Sequence, residues 1–284
     1  MFIILGGTGH VGSAVAAALI ERGADLTIVG RDVGHMPDAV AGRARFAECD
    51  LLDRDRLHAI LRGGRRAFLL NPPGDPTGDS NSAEQATIAA ILAAMDGAGL
   101  ELAVAQSTYG ARPGPPCGDL TTLHALEQGL ANQTIPAQVI RAAYHYSNWD
   151  FALAEARTGR LTSLMPADLA LPMVSPLDIG RAAAEALTGP AVAGLTHAEG
   201  PHRLTPRDVA AAFGRALGHD VAVAEIPRRD WQDWFRQAGF SQGAAKSYGC
   251  MTAATVDTAD SWPRDPLRGS VTIDEHIAAL LQQD

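Results

Sequence analysis

Lysine is nearly absent from this chain: of the 23 basic residues only Lys246 is a lysine, so any mechanism that needs a lysine must use that one. Cysteine is scarce as well, with three residues, Cys49, Cys117 and Cys250, far apart and odd in number. Without Cys-x-x-Cys spacing they argue against a disulfide framework and against a zinc site, so no metal is expected. Cytoplasmic residence is the simplest consequence. An excess of basic charge is also missing. The formal net charge of −9 excludes nucleic acid as a partner, because neutralising phosphates requires a basic face. No apolar run approaches the roughly 20 residues of a membrane span, which excludes an integral membrane protein. The apolar stretch from Ala14 to Ile20 follows a glycine loop and has no basic leader, so it fits a signal peptide poorly.

What is present is a length of 284 residues with 46% hydrophobic content, enough to bury a core without staples and therefore a soluble globular chain. The first half alternates short apolar runs with helical stretches. Strands are expected at Phe2 to Leu5, Leu26 to Val29, Arg45 to Ala47, Ala67 to Leu70, Leu102 to Ala105 and Gln138 to Ile140. Helices fall between them, near 11–22, 53–61, 82–98 and 120–132. In the third of these, Ile88, Ile91, Leu92 and Met95 make one apolar stripe. Sequential strands joined by helices run parallel with right-handed crossovers, so the fold class is α/β, a doubly wound parallel sheet. After residue 142 prolines break the cadence, and helices are expected only near 177–187, 207–217 and 274–281. The expected division is a nucleotide-binding domain over 1–142 and a smaller, mostly helical substrate lobe over 143–284, interleaved with the sheet. All four tryptophans lie in that lobe, where Trp231 and Trp234, three positions apart, fit anchors of the lobe better than a stacking platform.

The strongest motif is Gly6-Gly7-Thr8-Gly9-His10-Val11-Gly12, between a strand and a helix. Its glycines permit a tight turn and close approach of the backbone to a pyrophosphate, which the helix N-terminus attracts through free N–H groups and its dipole. This is the dinucleotide fingerprint of a Rossmann domain, and its context strengthens it. At the end of the second strand stand Arg31 and Asp32. Arginine favours a 2′-phosphate and hence NADP(H), whereas Asp32 beside it supports the less favoured NAD(H). Asp50 and Leu51 end strand three, where Asp50 either meets the adenine or caps the next helix. Asn71, Pro72 and Pro73 end strand four, and Ser107 ends strand five. All converge on the carboxyl edge, where open α/β sheets bind ligands.

Taken in order, these segments, with Gly30-Arg31-Asp32, Asp50-Leu51-Leu52-Asp53, Leu123 to Gln128, Ile140-Arg141 leading into Tyr144 to Trp149, and Pro176 to Gly180, resemble the NmrA-like branch of the atypical short-chain dehydrogenase/reductases. The likeness spans essentially the whole chain. That branch includes quinone and triphenylmethane-dye reductases together with non-catalytic redox sensors. The resemblance implies that residues 141–148 line the nicotinamide end and that the C-terminal lobe closes the substrate cleft. It places His124 where the branch usually has a lysine or histidine, with Glu127 on the same helix face. His124 and Tyr144 are the candidate catalytic residues. The Tyr-x-x-x-Lys pair of mainstream short-chain dehydrogenases is missing: the residues four positions after Tyr109, Tyr144, Tyr146 and Tyr248 are Pro113, Asn148, Asp150 and Thr252. Two readings follow, an NADPH-dependent reductase passing hydride to a small quinone-like or aromatic acceptor, and a non-catalytic NADP(H) sensor. An isomerase, epimerase or biosynthetic enzyme on the same fold is a third. A homodimer or a regulatory protein partner is left open.

Overall fold

The apolar runs of the first half become the centre of one sheet. The computed structural model describes residues 1–38, 40–258 and 262–283. In chain order the elements of the first half are β1 (Phe2–Leu5), α1 (His10–Glu21), β2 (Leu26–Gly30), β3 (Arg45–Glu48), α2 (Arg54–Leu61), β4 (Arg66–Leu69), α3 (Ser80–Met95), β5 (Leu102–Thr108), α4 (Asp119–Ala131) and β6 (Ala137–Ala142). The second half supplies β7 (Tyr144–His145), α5 (Leu153–Ala156), β8 (Arg160–Ser163), β9 (Leu171–Val174), α6 (Pro176–Thr188), β10 (Gly194–Glu199), β11 (Arg203–Leu204), α7 (Pro206–Leu217), β12 (Ala222–Glu225), α8 (Trp231–Gln237), α9 (Gln242–Asp257), β13 (Leu267–Arg268) and α10 (Ile273–Gln283).

The main sheet has eight strands in the order β13-β10-β6-β5-β4-β1-β2-β3, all parallel. The six strands from β3 to β6 follow the dinucleotide-binding order, and β10 and β13 extend the sheet beyond β6. One face packs on α1 and α6 through Ile4, Val15, Ile28, Val104 and Ile179. The other packs on α2, α3 and α4 through Ile3, Leu57, Ile88, Ala105 and Leu126. A separate core, with Tyr146, Trp149, Phe213 and Ile277, holds the second half together.

All six expected strands and the helices between them form, with ends shifted by a few residues. The third helix begins earlier than its apolar stripe predicts because Asp79 caps it, accepting a hydrogen bond from Ser82 N at 3.0 Å. Beyond residue 142, β7–β13 and the helices α5, α8 and α9 were not expected. β10 carries exposed Leu195 at its outer edge and lacks an apolar alternation, yet it pairs with β6 over Gly194 to Ala198 and extends the main sheet. The expectation of unpaired cysteines is corrected: Cys117 and Cys250 form a disulfide, and Cys49 alone is a free buried thiol. Tertiary packing brings those two together, which residue spacing does not reveal.

Candidate cofactor and acceptor site

The glycine loop is built by close backbone contacts. Gly6 adopts φ +66° and its carbonyl accepts from Gly9 N at 3.0 Å. A Cβ on Gly12 would stand 2.2 Å from Gly6 O, and one on Gly7 would stand 2.6 Å from Ile28 Cγ2, so neither position tolerates a side chain. Gly9 differs: its φ is −94° and the nearest atom to a Cβ there is 3.5 Å away. Gly9 and His10 are exposed, Thr8 is half-buried and Val11 is buried beneath them. The amino end of α1 has no side-chain cap and no acidic residue in its first turn. Its N–H groups therefore face outward with a favourable dipole for an anion. Behind it, α6 presses on α1 so closely that a Cβ on Gly180 would lie 2.6 Å from the Ala14 carbonyl carbon.

At the end of β2 the two competing residues have different neighbours. Asp32 Oδ1 accepts from Gly34 N at 2.8 Å and Oδ2 lies 3.1 Å from His35 Nδ1, so its carboxylate is engaged by its own loop. Arg31 is exposed and has no ion pair among the described residues. Asp50, exposed at the end of β3, accepts from Leu52 N at 2.9 Å, while Asp53 is the residue that caps α2. Leu51 is half-buried beside it.

Beyond β4, Asn71 and Pro72 are half-buried and Pro73 is exposed. Asn71 Oδ1 is a buried acceptor with no hydrogen-bond partner among the described residues, as are Gln106 Oε1 and Glu84 Oε2, while His124 Nδ1 is a buried, equally unpartnered ring nitrogen. Asn71 and Gln106 sit at or near the carboxyl ends of adjacent strands. Since α4 runs back from that edge, His124 is one turn nearer to it than Glu127. Unmatched buried polar atoms are rare and costly. Here three of them share the edge to which the glycine loop opens, and they fit a polar ligand lying across it.

Ser107 and Glu127 are bound to each other instead. Ser107 Oγ donates to Glu127 Oε1 at 2.5 Å, and Arg141 donates to the same carboxylate from Nε at 2.8 Å and Nη2 at 2.6 Å. Glu127 holds the Arg141 guanidinium above its usual range. Just beyond β6, at the start of β7, Tyr144 is half-buried. Burial pushes its phenol up to about 12, and a hydrogen bond with Asn148 works the other way. His145 is brought down to about 4 by burial and by its neighbour His10 across the site. Its Nε2 is 3.3 Å from Gln106 Nε2. At neutral pH both side chains are uncharged, so they serve as hydrogen-bond partners. Gln106, Glu84 and Asp119 were not among the expected site residues; a lone glutamine directly after the apolar run Leu102 to Ala105 was the available signal for the first. Trp231 is buried with Nε1 donating to Ile226 O at 2.9 Å, and anchors its lobe.

Among the described residues no helix is long and apolar enough to cross a membrane. Comparison with known proteins places residues 6–160 under the family model described as NAD(P)H-binding. The nitrogen metabolite regulation-like protein bik4 of Gibberella fujikuroi is 26% identical, over 80% of this chain and 72% of its own length. An NAD(P)H azoreductase of Xenophilus azovorans is 25% identical, over 80% of this chain and 77% of its own. Among solved structures, an NADPH-dependent quinone oxidoreductase from Escherichia coli complexed with NADPH superposes with a TM-score of 0.80 at 17% identity, covering 99% of this chain and 100% of the other. That likeness establishes the fold, and the bik4 likeness agrees with the NmrA-like resemblance.

Proposed function

The chain belongs to the NAD(P)H-binding family, and from that premise we propose that it is an NADPH-dependent reductase that delivers hydride to a small quinone-like or aromatic acceptor. The observation that carries this reading is the shared edge: an uncapped helix N-terminus, a glycine cradle with no room for side chains, and unpartnered Asn71, Gln106 and His124 beside it. Gly6 to Gly12 would hold the pyrophosphate, Arg31 a 2′-phosphate, and Asp50 and Leu51 the adenine end. Asn71, Pro72, Pro73 and the Ser107 backbone would lie under the rest. NADP(H) is preferred over NAD(H) because Arg31 makes no ion pair among the described residues while the Asp32 carboxylate is engaged by Gly34 and His35. When bound, the cofactor supplies hydride. His124 is the residue we assign to hold or pass a proton to the acceptor, through its unpartnered ring nitrogen. Tyr144, whose phenol stays protonated, would donate a hydrogen bond to it. A quinone-like acceptor needs stacking more than acid/base machinery, since solvent can protonate the product, which suits a chain without a Tyr-x-x-x-Lys pair. The azoreductase likeness supports a redox role for the site.

The second reading is a sensor that binds NADP(H) without turnover and signals to a protein partner, favoured by the likeness to bik4. We retain the division into 1–142 and 143–284 as the nucleotide domain and the acceptor lobe, and the cytoplasm as the compartment. Calorimetric titration with NADPH and NADH, then NADPH oxidation with a panel of quinones and azo compounds, tests the set. Tight NADPH binding with turnover supports the reductase. Binding without turnover on any acceptor transfers the weight to the sensor, and no binding of either nucleotide defeats both.

A further inference from the structure

Cys117 and Cys250 are joined although 133 positions separate them. Cys117 is buried two residues before α4, and Cys250 is half-buried on α9. Two further contacts reinforce the junction. Gly118 N donates to Ser247 Oγ at 2.7 Å, and a Cβ on Gly118, whose φ is +56°, would stand 2.8 Å from Met251 Sδ. At the start of α9, Ser241 donates from its backbone N to Pro76 O at 2.8 Å and from Oγ to Gly78 O at 2.7 Å. α8 is attached to α9 through the rings of Phe235, Phe240 and Tyr248. α9, with α8 attached to it, thus forms a strap fixed at its start to the β4–α3 loop and at its middle to the start of α4. Both attachment points leave the carboxyl edge where the cofactor residues converge.

The strap also covers charge. Burial and the neighbouring Glu84 push the Asp119 carboxyl up to about 6, and burial with the nearby Asp119 and Glu84 pushes Tyr248 up to about 12. An Asp119 carboxyl held in that state depends on a cover that excludes water.

We propose that the Cys117–Cys250 pair is a thiol–disulfide site, exchanging with small-molecule thiols and disulfides, that fixes the α8–α9 strap over the acceptor side of the site when oxidised and releases it when reduced. For reduction, a thiolate attacks Cys250 Sγ, the more accessible sulfur. The S–S bond breaks, Cys117 leaves as a thiolate and takes a proton from water. A second thiolate then attacks the mixed disulfide, releasing an external disulfide and the Cys250 thiol. Two electrons pass from two thiols to the pair, and a small disulfide such as glutathione disulfide reverses the sequence. For the cytoplasmic compartment proposed above, a disulfide is characteristically transient or redox-sensing, which is the role assigned here. The effect on the acceptor rests on the reductase reading above, but the strap's release does not.

The test uses the full chain, oxidised with glutathione disulfide or reduced with dithiothreitol. Thiol titration in denaturant should find Cys49 alone in the oxidised form and all three cysteines in the reduced form. Hydrogen exchange should then accelerate by about tenfold across residues 241–257 on reduction, with residues 2–21 unchanged. Cys117→Ser and Cys250→Ser should exchange like the reduced protein in both buffers, and the reduced wild type covers the case where a variant folds poorly. With turnover, reduction should raise KM for the quinone and leave the NADPH Kd unchanged. Three free thiols after oxidation, or identical exchange of 241–257 in the two states, overturns the proposal. If turnover is absent, the exchange data still judge the switch while the reductase reading fails separately.

Discussion

Ser107 donates its hydroxyl hydrogen to Glu127 across 2.5 Å, and both residues are buried, 1% and 8% exposed. The same carboxylate receives two donors from Arg141, so β5, α4 and β6 meet at one charge. This junction lies one helical turn below His124 and sets the register of the helix that carries it.

Removing one partner of such a pair leaves the other charge stranded. Glu127→Ala should therefore destabilise the fold by about 3 kcal/mol, the low end for a buried pair, because Arg141 retains 20% side-chain exposure. In thermal unfolding the midpoint should fall by on the order of 6–12 °C for a domain of this size. Glu127→Gln keeps an acceptor and should lose less. A melting curve for Glu127→Ala that overlays the wild type would show that the junction contributes little.

The part of this architecture that was legible in the sequence is the part governed by short-range rules. Phe2 to Leu5 and Leu102 to Ala105 are apolar runs of strand length, and they form the sheet centre. The glycine loop was legible because Gly6, Gly7 and Gly12 meet steric demands set by neighbours close in sequence or one strand away. The later strands were hidden because their pairing is made by distant residues: β10 holds its place through β6, over 50 positions earlier. The Cys117–Cys250 bond and the meeting of Glu84 with Asp119 were illegible for the same reason. Ser107 stands at the carboxyl end of β5, and that its hydroxyl is taken by Glu127 was illegible for the same reason.

Two glycines of the loop should respond differently to alanine. At Gly9 a methyl group meets no protein atom closer than 3.5 Å, so Gly9→Ala should melt within about 1–2 °C of the wild type. It should nevertheless lower dinucleotide affinity by about 100-fold, since the added methyl occupies the approach to the pyrophosphate. At Gly12 the methyl meets Gly6 O at 2.2 Å, and the substitution should damage both the fold and binding. Calorimetry and thermal melting on the two variants separate these outcomes. Full affinity in Gly9→Ala would remove the pyrophosphate from this loop.

Arg31 and Asp32 give a matched pair of substitutions. Arg31→Ala should weaken NADPH by about 10- to 100-fold, the value of a charge-assisted contact of ~1.5–3 kcal/mol, and leave NADH nearly unchanged. Asp32→Ala removes the acceptor for Gly34 N and should cost about 1 kcal/mol of stability at most, with no loss of NADPH affinity. Equal weakening of both nucleotides by Arg31→Ala, measured by titration, would rule out a 2′-phosphate at this arginine.

Asp119 should be visible in the pH dependence of stability. Its carboxyl is pushed from 3.8 up to about 6, first by burial and then by Glu84. Between those values the folded protein binds the proton that the unfolded chain has released. Stability contributed by this group is therefore full below about pH 4, declines as pH rises, and is absent above about pH 6. The whole effect is on the order of 2–3 kcal/mol, from about 1.4 kcal/mol per pKa unit, and Asp119 keeps some solvent contact, so the lower figure is the expectation. Other carboxylates contribute slopes of the opposite sign; Asp168 and Asp257, held low by Arg207 and Arg228, are two of them. The informative quantity is thus the difference between wild type and Asp119→Asn. Urea unfolding at pH 4, 5, 6 and 7 should show the variant gaining on the wild type as pH rises, with the gain levelling off above pH 6. A constant difference across that range would mean that Asp119 ionises normally and that the strap does not shield it.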